Sequence, residues 1–205
     1  MTSRTLAVVS AGLGQPSSTS LLAGRLAGAT SQALLDLGIE VEVTTVELRT
    51  HAHDLTDHLL TGFATETLQA AKDAVVGADG LVAVTPIFSA SYNGLFKTFF
   101  DVLDRGALRE TPVLLGATAG TARHSLALEH AVRPLFAHLG ALTNPTAVFA
   151  AAEDWGNDAT VEGGLAARIQ RAATELAGLV ASRETAGRVD PFGDVTPFSQ
   201  LLSAG

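Results

Sequence analysis

Leu81-Val82-Ala83-Val84-Thr85-Pro86-Ile87-Phe88-Ser89-Ala90-Ser91-Tyr92-Asn93-Gly94-Leu95-Phe96-Lys97-Thr98-Phe99-Phe100-Asp101 decides the fold. Its first four residues form an apolar run with no polar break, the pattern of a strand buried on both faces. A loop rich in proline, serine, tyrosine and asparagine follows. Phe96, Phe99 and Phe100 then recur at helical spacing, as core or subunit-contact residues do. A strand that feeds a helix through such a loop sets small polar groups and two aromatic rings, Phe88 and Tyr92, at its carboxyl end. In open α/β sheets that is where ligands bind.

Outward from this joint, strand-like and helix-like periods alternate. Strands are predicted over 5–10, 40–48, 81–85, 112–118 and 146–150. Helices are predicted over 18–37 (apolar at Leu21, Leu22, Leu26, Ala29, Ala33 and Leu34, stopping at Gly38), 65–76, 94–105, 125–139 and 165–182. Five strands, each followed by a helix, predict a parallel sheet covered on both faces. The last stretch, 184–205, loses the alternation, yet Phe192, Phe198, Leu201 and Leu202 are too apolar for a solvated tail. The organisation expected is one domain over 1–183 and an extension over 184–205 that packs on the body or on a neighbouring subunit.

Composition narrows the function. The 205 residues are 47% hydrophobic and 17% charged, enough for a sizeable core and too apolar for disorder. Thirteen basic side chains against 21 acidic ones give a net charge of −8, and no basic block exists. Nucleic-acid or anionic-membrane binding therefore has little electrostatic basis. Cysteine is absent, which removes disulfides, a thiol nucleophile and thiolate metal sites, and fits a reducing cytoplasm. Leu6-Ala7-Val8-Val9 is too short for a secretory apolar core and reads as a strand. No window approaches a membrane span.

Three loops carry the chemistry. Ser10-Ala11-Gly12-Leu13-Gly14-Gln15-Pro16-Ser17-Ser18-Thr19-Ser20 runs from a strand end into a helix N-terminus, where unpaired N–H groups and the dipole favour an anion. Four hydroxyl residues in a row exceed what capping needs, although a serine-rich N-cap cluster is the plain alternative. No lysine is present, so a nucleoside triphosphate loop is excluded, and a monophosphate held by neutral donors fits. In the second loop Pro86 holds the chain extended, and the backbone around Ile87, Ser89 and Asn93 can read a ring edge. Phe88 and Tyr92 can wall a ring or be core aromatics. The third loop is Thr118-Ala119-Gly120-Thr121-Ala122-Arg123-His124. Gly120 permits close backbone approach. Arg123 and His124 sit at a predicted helix start, unfavourable to the dipole unless an anion is bound there; His124 equally reads as a capping or packing residue. Lys97 and Asp101, at i and i+4, read as a solvated face.

The second loop resembles the flavin-contacting loop of the NAD(P)H-dependent FMN reductase family, which shows Pro, an aromatic, Ser, Tyr, Asn/Ser, Gly and later Leu-Lys. Pro86, Phe88, Ser91, Tyr92, Asn93, Gly94, Leu95 and Lys97 follow that order. The family's phosphate loop reads Gly-Ser-x-Arg-x-x-Ser-x-Asn/Ser/Thr. Here Gly12 stands for the Ser and Gly14 for the Arg, while Ser17 and Thr19 match. Thr118 to Thr121 match the small-residue loop over the flavin's other edge. The runs 119–128 and 197–202 narrow the likeness to reductases that partner flavin-dependent, luciferase-like monooxygenases.

The resemblance implies a flavodoxin-like, doubly wound sheet of order 2-1-3-4-5 with its switch point between strands one and three. It implies FMN as cofactor and NADPH or NADH as co-substrate. The flavin contacts it implies are Ser10, Gly12, Ser17, Ser18, Thr19, Pro86, Ile87, Phe88, Ser89, Tyr92, Asn93, Thr118, Ala119, Gly120 and Thr121, with Arg123 on a flavin or pyridine-nucleotide phosphate. It also implies a homodimer or tetramer and delivery of reduced FMN to a monooxygenase. Hydride transfer to flavin needs no side-chain acid or base, so no catalytic side chain is expected. The 118–122 loop has no aromatic, which leaves one flavin face open to a second ring and favours turnover over electron carriage.

Rival readings stay open. A quinone or azo reductase shares fold and cofactor, and a flavodoxin-like carrier or flavin-binding module would lack NAD(P)H turnover. A structural or regulatory protein could keep the fold without the cofactor. His51, His53 and His58 with Asp54 and Asp57 could ligate a metal, but their spacing is no recognised ligand pattern, and a surface cluster is expected. Trp155 either flanks the site or packs under the tail. Neither a Gly-x-Ser-x-Gly elbow nor a Gly-x-Gly-x-x-Gly fingerprint is present.

Overall fold

The computed structural model describes residues 2–156 and 163–183. The expected 184–205 extension lies outside the described residues.

Four long strands, β1 (Thr2–Ser10), β2 (Ile39–Glu47), β3 (Gly80–Phe88) and β5 (Pro112–Ala119), lie parallel in the order β2-β1-β3-β5. The far edge is shared by β6 (Leu142–Thr143) and β7 (Val148–Ala151), both parallel to β5. This is the expected 2-1-3-4-5 order with its fifth position broken in two. The break falls at Asn144-Pro145, where proline has no N–H for the ladder. The seventh strand, β4 (Ser91–Tyr92), turns back antiparallel onto β3, pairing Phe88 with Ser91 and Ile87 with Tyr92.

Helices α1 (Ser18–Asp36) and α6 (Leu165–Ser182) cover one face. Their Leu22, Leu26, Leu34, Ile169, Leu176 and Val180 pack on Leu6, Val8, Val82, Val84 and Leu114. Helices α2 (Ala52–Thr61), α3 (Glu66–Val76), α4 (Gly94–Asp101) and α5 (Arg133–His138) cover the other, over Ala7, Val9, Leu81, Ala83, Val113 and Leu115. Alternate residues of each strand serve the two layers, which is why the strands read as continuous apolar runs. Gly38 adopts φ +76 just past α1, the left-handed stop its position foretold. Leu21, counted among the apolar face, is half-exposed instead.

Phe96, Phe99 and Phe100 are fully buried. Phe100 meets Phe96 and Phe136 edge-on, each at 4.8 Å between ring centroids. They anchor α4, and thereby the loop before it, to the sheet.

Three helical expectations change. The helix expected over 94–105 ends at Asp101. The one expected over 125–139 is a 3-10 turn (Ala122–His124), a π-turn (Leu128–Val132) and α5. Pro134 explains the break, because it cannot donate to the carbonyl four residues back. Finally, α2 occupies the histidine-rich stretch read as a surface or loop cluster. Only Leu55 is buried along it, so its apolar signal is weak.

Candidate functional site

Parallel strands put the loops after β1, β3 and β5 on one edge, and three sets of hydrogen bonds lock them together. Ala11 N–H donates to Val84 O at 3.0 Å. The Asn93 amide donates to Ala11 O at 2.9 Å, and its carbonyl caps α4 by accepting from Phe96 N–H at 2.8 Å. The hydroxyls of Thr19 and Thr118, both buried and 99 residues apart, meet at 2.8 Å.

Between the loops opens a cleft of about 260 Å³. One wall is Leu13, Gly14, Pro16, Ser17, Ser18 and Thr19; a second is Pro86, Ile87 and Phe88; the third is Thr118, Ala119 and Gly120. Nine expected contact residues are thus brought together, and Leu13, Gly14 and Pro16 are added. Among the described residues no basic side chain lines the cleft.

Ser17 is the N-cap of α1, its Oγ accepting from Ser20 N–H at 3.1 Å. That bond leaves the Ser17 hydroxyl proton free for a ligand. Ser18 is exposed, and the first-turn N–H groups of Ser18 and Thr19 have no intrahelical acceptor. These neutral donors and the helix dipole suit a phosphate monoester. Gly12 fits closely beneath them: a Cβ there would lie 2.0 Å from Ser17 Oγ.

The other end suits a flat ring. Pro86 pairs with Thr118 of β5 but lies beyond the last β1–β3 pair, Ser10 with Val84, so its missing N–H interrupts no ladder bond to β1. Phe88 is 50% exposed at the rim. The Ser89-Ala90 turn holds both central residues at positive φ, 48° and 67°. This is the sign pattern of a type I′ hairpin turn, built here without glycine.

The remaining expected residues stand apart. Ser10, Gly12 and Asn93 are buried behind the loops as scaffold. Thr121 caps the 3-10 turn, and Arg123 and His124 are exposed on it, His124 neither capping nor packing. Tyr92 turns away: its ring lies 6.1 Å from that of Phe96 and lines a separate groove of about 680 Å³ beside α4 and the π-turn. That groove is larger, but no helix N-terminus or hydroxyl cluster opens into it. Lys97 there is bound to Asp101 at 2.7 Å. Trp155 packs beside the α1/α6 core with the Arg25 guanidinium 5.3 Å from its ring centre.

His51 Nδ1 lies 3.9 Å from Asp54 Oδ2. Among the described residues no three histidine or acidic side chains are grouped to hold a metal. Outside the cleft, the hydrogen-bonded Arg133 guanidinium holds the Glu129 carboxyl below its ordinary range. One residue absent from the sequence-based reading joins the site from behind: Glu47, which accepts from the Ser20 hydroxyl at 3.1 Å.

The family model for NADPH-dependent FMN reductase matches residues 4–156. An FMN reductase (NADPH) of Pseudomonas aeruginosa is 39% identical over 175 residues, 85% of this chain and 91% of that protein. The NADH-dependent FMN reductase SfnF of Pseudomonas fluorescens is 37% identical over 179 residues, 86% of this chain and 93% of its own length. The crystal structure of an oxidoreductase from Corynebacterium diphtheriae superposes with a TM-score of 0.84 at 43% identity, covering 90% of this chain and all of that one.

Proposed function

Because this chain belongs to the NADPH-dependent FMN reductase family, we propose that it oxidises NADPH or NADH and reduces FMN in the cleft between the β1, β3 and β5 loops. One observation carries the reading. Neutral hydroxyl and N–H donors gather at one end of the cleft, and a proline, an exposed phenylalanine and small residues line the other.

Bound FMN supplies the two-electron chemistry by accepting hydride from the nicotinamide. The chain holds and orients. The Ser17 and Ser18 hydroxyls and the first-turn N–H groups grip the phosphate. The Thr19–Thr118 bond keeps the phosphate wall in register with the ring wall. Backbone at Pro86, Ile87 and Phe88 borders one ring edge, and Thr118, Ala119 and Gly120 border the other. With no aromatic in that last wall, a face stays open for the nicotinamide. Arg123, exposed on the 3-10 turn that follows the Thr118–Gly120 wall and without an acidic partner among the described residues, takes a phosphate of flavin or nucleotide.

The reading extends to reduced FMN passed on to a monooxygenase, supported by the open cleft and the 119–128 sequence. It extends also to a homodimer or tetramer, supported by the unfilled groove beside α4, and to a cytoplasmic setting, supported by the absence of cysteine. No helix of the described residues is long and apolar enough to cross a membrane.

Steady-state oxidation of NADH and NADPH with FMN, FAD or a quinone as acceptor tests the assignment. Turnover dependent on FMN is expected. Flavin binding without nucleotide oxidation would identify a carrier instead, and quinone-dependent turnover that ignores added FMN would identify a quinone reductase.

A further inference from the structure

Glu47 ends β2 directly beside Ser10, its register partner at the end of β1. The Ser20 hydroxyl donates to Glu47 Oε2 at 3.1 Å. That uses the only proton Ser20 Oγ has. The 3.0 Å contact between Ser10 and Ser20 is therefore made with the Ser10 proton. Gly12 N–H in turn approaches Ser10 Oγ at 3.5 Å. One carboxylate thus sets the direction of a whole chain of hydrogen bonds and turns two of the loop's hydroxyls inward, away from the cleft. Glu47 forms no ion pair among the described residues, and no basic side chain lines the cleft to offset its charge.

We propose that Glu47 is a positioning residue whose fixed negative charge, one serine behind the anion end of the cleft, lowers the affinity for the phosphate of a phosphorylated flavin. The proposal rests on reading the cleft as a flavin site. Its consequence runs against the usual effect of altering a site: removing the charge tightens binding. The effect is confined to ligands that carry phosphate.

Glu47→Gln removes the charge and keeps one oxygen that can accept from Ser20, the other oxygen becoming an N–H donor. FMN and riboflavin are titrated separately into the full chain and into this variant, following flavin fluorescence. FMN should bind the variant about tenfold more tightly, the order of magnitude for removing a unit charge close to a phosphate dianion at the dielectric of water. Riboflavin affinity should be unchanged. A purely structural role for Glu47 predicts that both flavins bind less well. That result, or an unchanged FMN affinity in a folded variant, overturns the proposal.

If Glu47→Gln does not fold, Glu47→Ala removes the same charge, and FMN affinity should rise there relative to riboflavin affinity. A fall overturns the inference. Should the unaltered protein bind neither flavin, the flavin-site reading itself fails and the inference with it. A protein that binds both flavins while Glu47→Gln gains nothing leaves that reading standing and removes only the role of Glu47.

Discussion

Gly12→Ala tests whether the phosphate end of the cleft is built as described. An alanine Cβ at this position would sit 2.0 Å from Ser17 Oγ, 3.0 Å from Ser17 Cβ and 3.1 Å from Ser20 Oγ. Gly12 has no positive φ, so the backbone accepts alanine and the clash alone decides. The atom struck is the end of a short side chain that can rotate. Rotating it removes the N-cap bond to Ser20 N–H, so the cost is that of a lost cap, about 1 kcal/mol, with about 2 as the upper end. For a chain of this size that lowers Tm by roughly 2–8 °C. The displaced hydroxyl is also a proposed phosphate donor, so FMN affinity should fall about tenfold, one lost hydrogen bond to a charged group.

Thermal melts and FMN titration of Gly12→Ala, Ser17→Ala and the double variant form a cycle. Once Ser17 has lost its hydroxyl, the 2.0 Å contact no longer exists and only the tight contacts at 3.0 and 3.1 Å remain, so alanine at position 12 should cost less than in the unaltered protein. Fully additive losses would refute the reasoning, as would Gly12→Ala with unchanged Tm and FMN affinity. Gly120→Ala, where a Cβ meets no protein atom within 4 Å, serves as the tolerated control for the thermal melts alone, because Gly120 lines the cleft.

Asn93→Ala removes the cap of α4 and the donor to the buried Ala11 carbonyl together; chemical denaturation should show a loss of about 2–4 kcal/mol. Ala90→Gly should instead stabilise. Relief of a left-handed alanine, about 1–2 kcal/mol, exceeds the entropy that glycine loses, about 0.5–1. A Tm unchanged or lowered would show that the turn is not held as described. Arg133 lowers the Glu129 pKa, so this pair's contribution is present above the ordinary carboxylate pKa and is lost as pH falls through the folded value. Both side chains are partly solvated, which limits the gain to about 0.2–1 kcal/mol. Glu129→Gln should therefore lower Tm slightly at pH 7, and the difference should shrink as acid titrates the carboxylate.

The alternation of apolar runs with helical periods was enough to determine a parallel sheet. Parallelism alone then puts the loops after β1, β3 and β5 on one edge. For this reason Ser17, Ser18, Thr19, Pro86, Phe88 and Gly120 could be assigned to one cleft from residue types and order. Local chemistry also fixed Gly38 as a helix stop. Other features were legible but weak, such as the break at Pro134 inside a helical pattern and α2, which buries a single leucine.

Which side chains turn toward the cleft was decided by partners distant in the chain. Tyr92 packs half-buried beside Phe96 along a separate groove, and Asn93 faces inward because the Ala11 carbonyl, 82 residues away, needs a donor. Ser10 and Ser20 read as ligand donors until β2 sets Glu47 beside them, 27 residues beyond Ser20. A hydroxyl has one proton to give, and only the register of neighbouring strands settles which acceptor receives it.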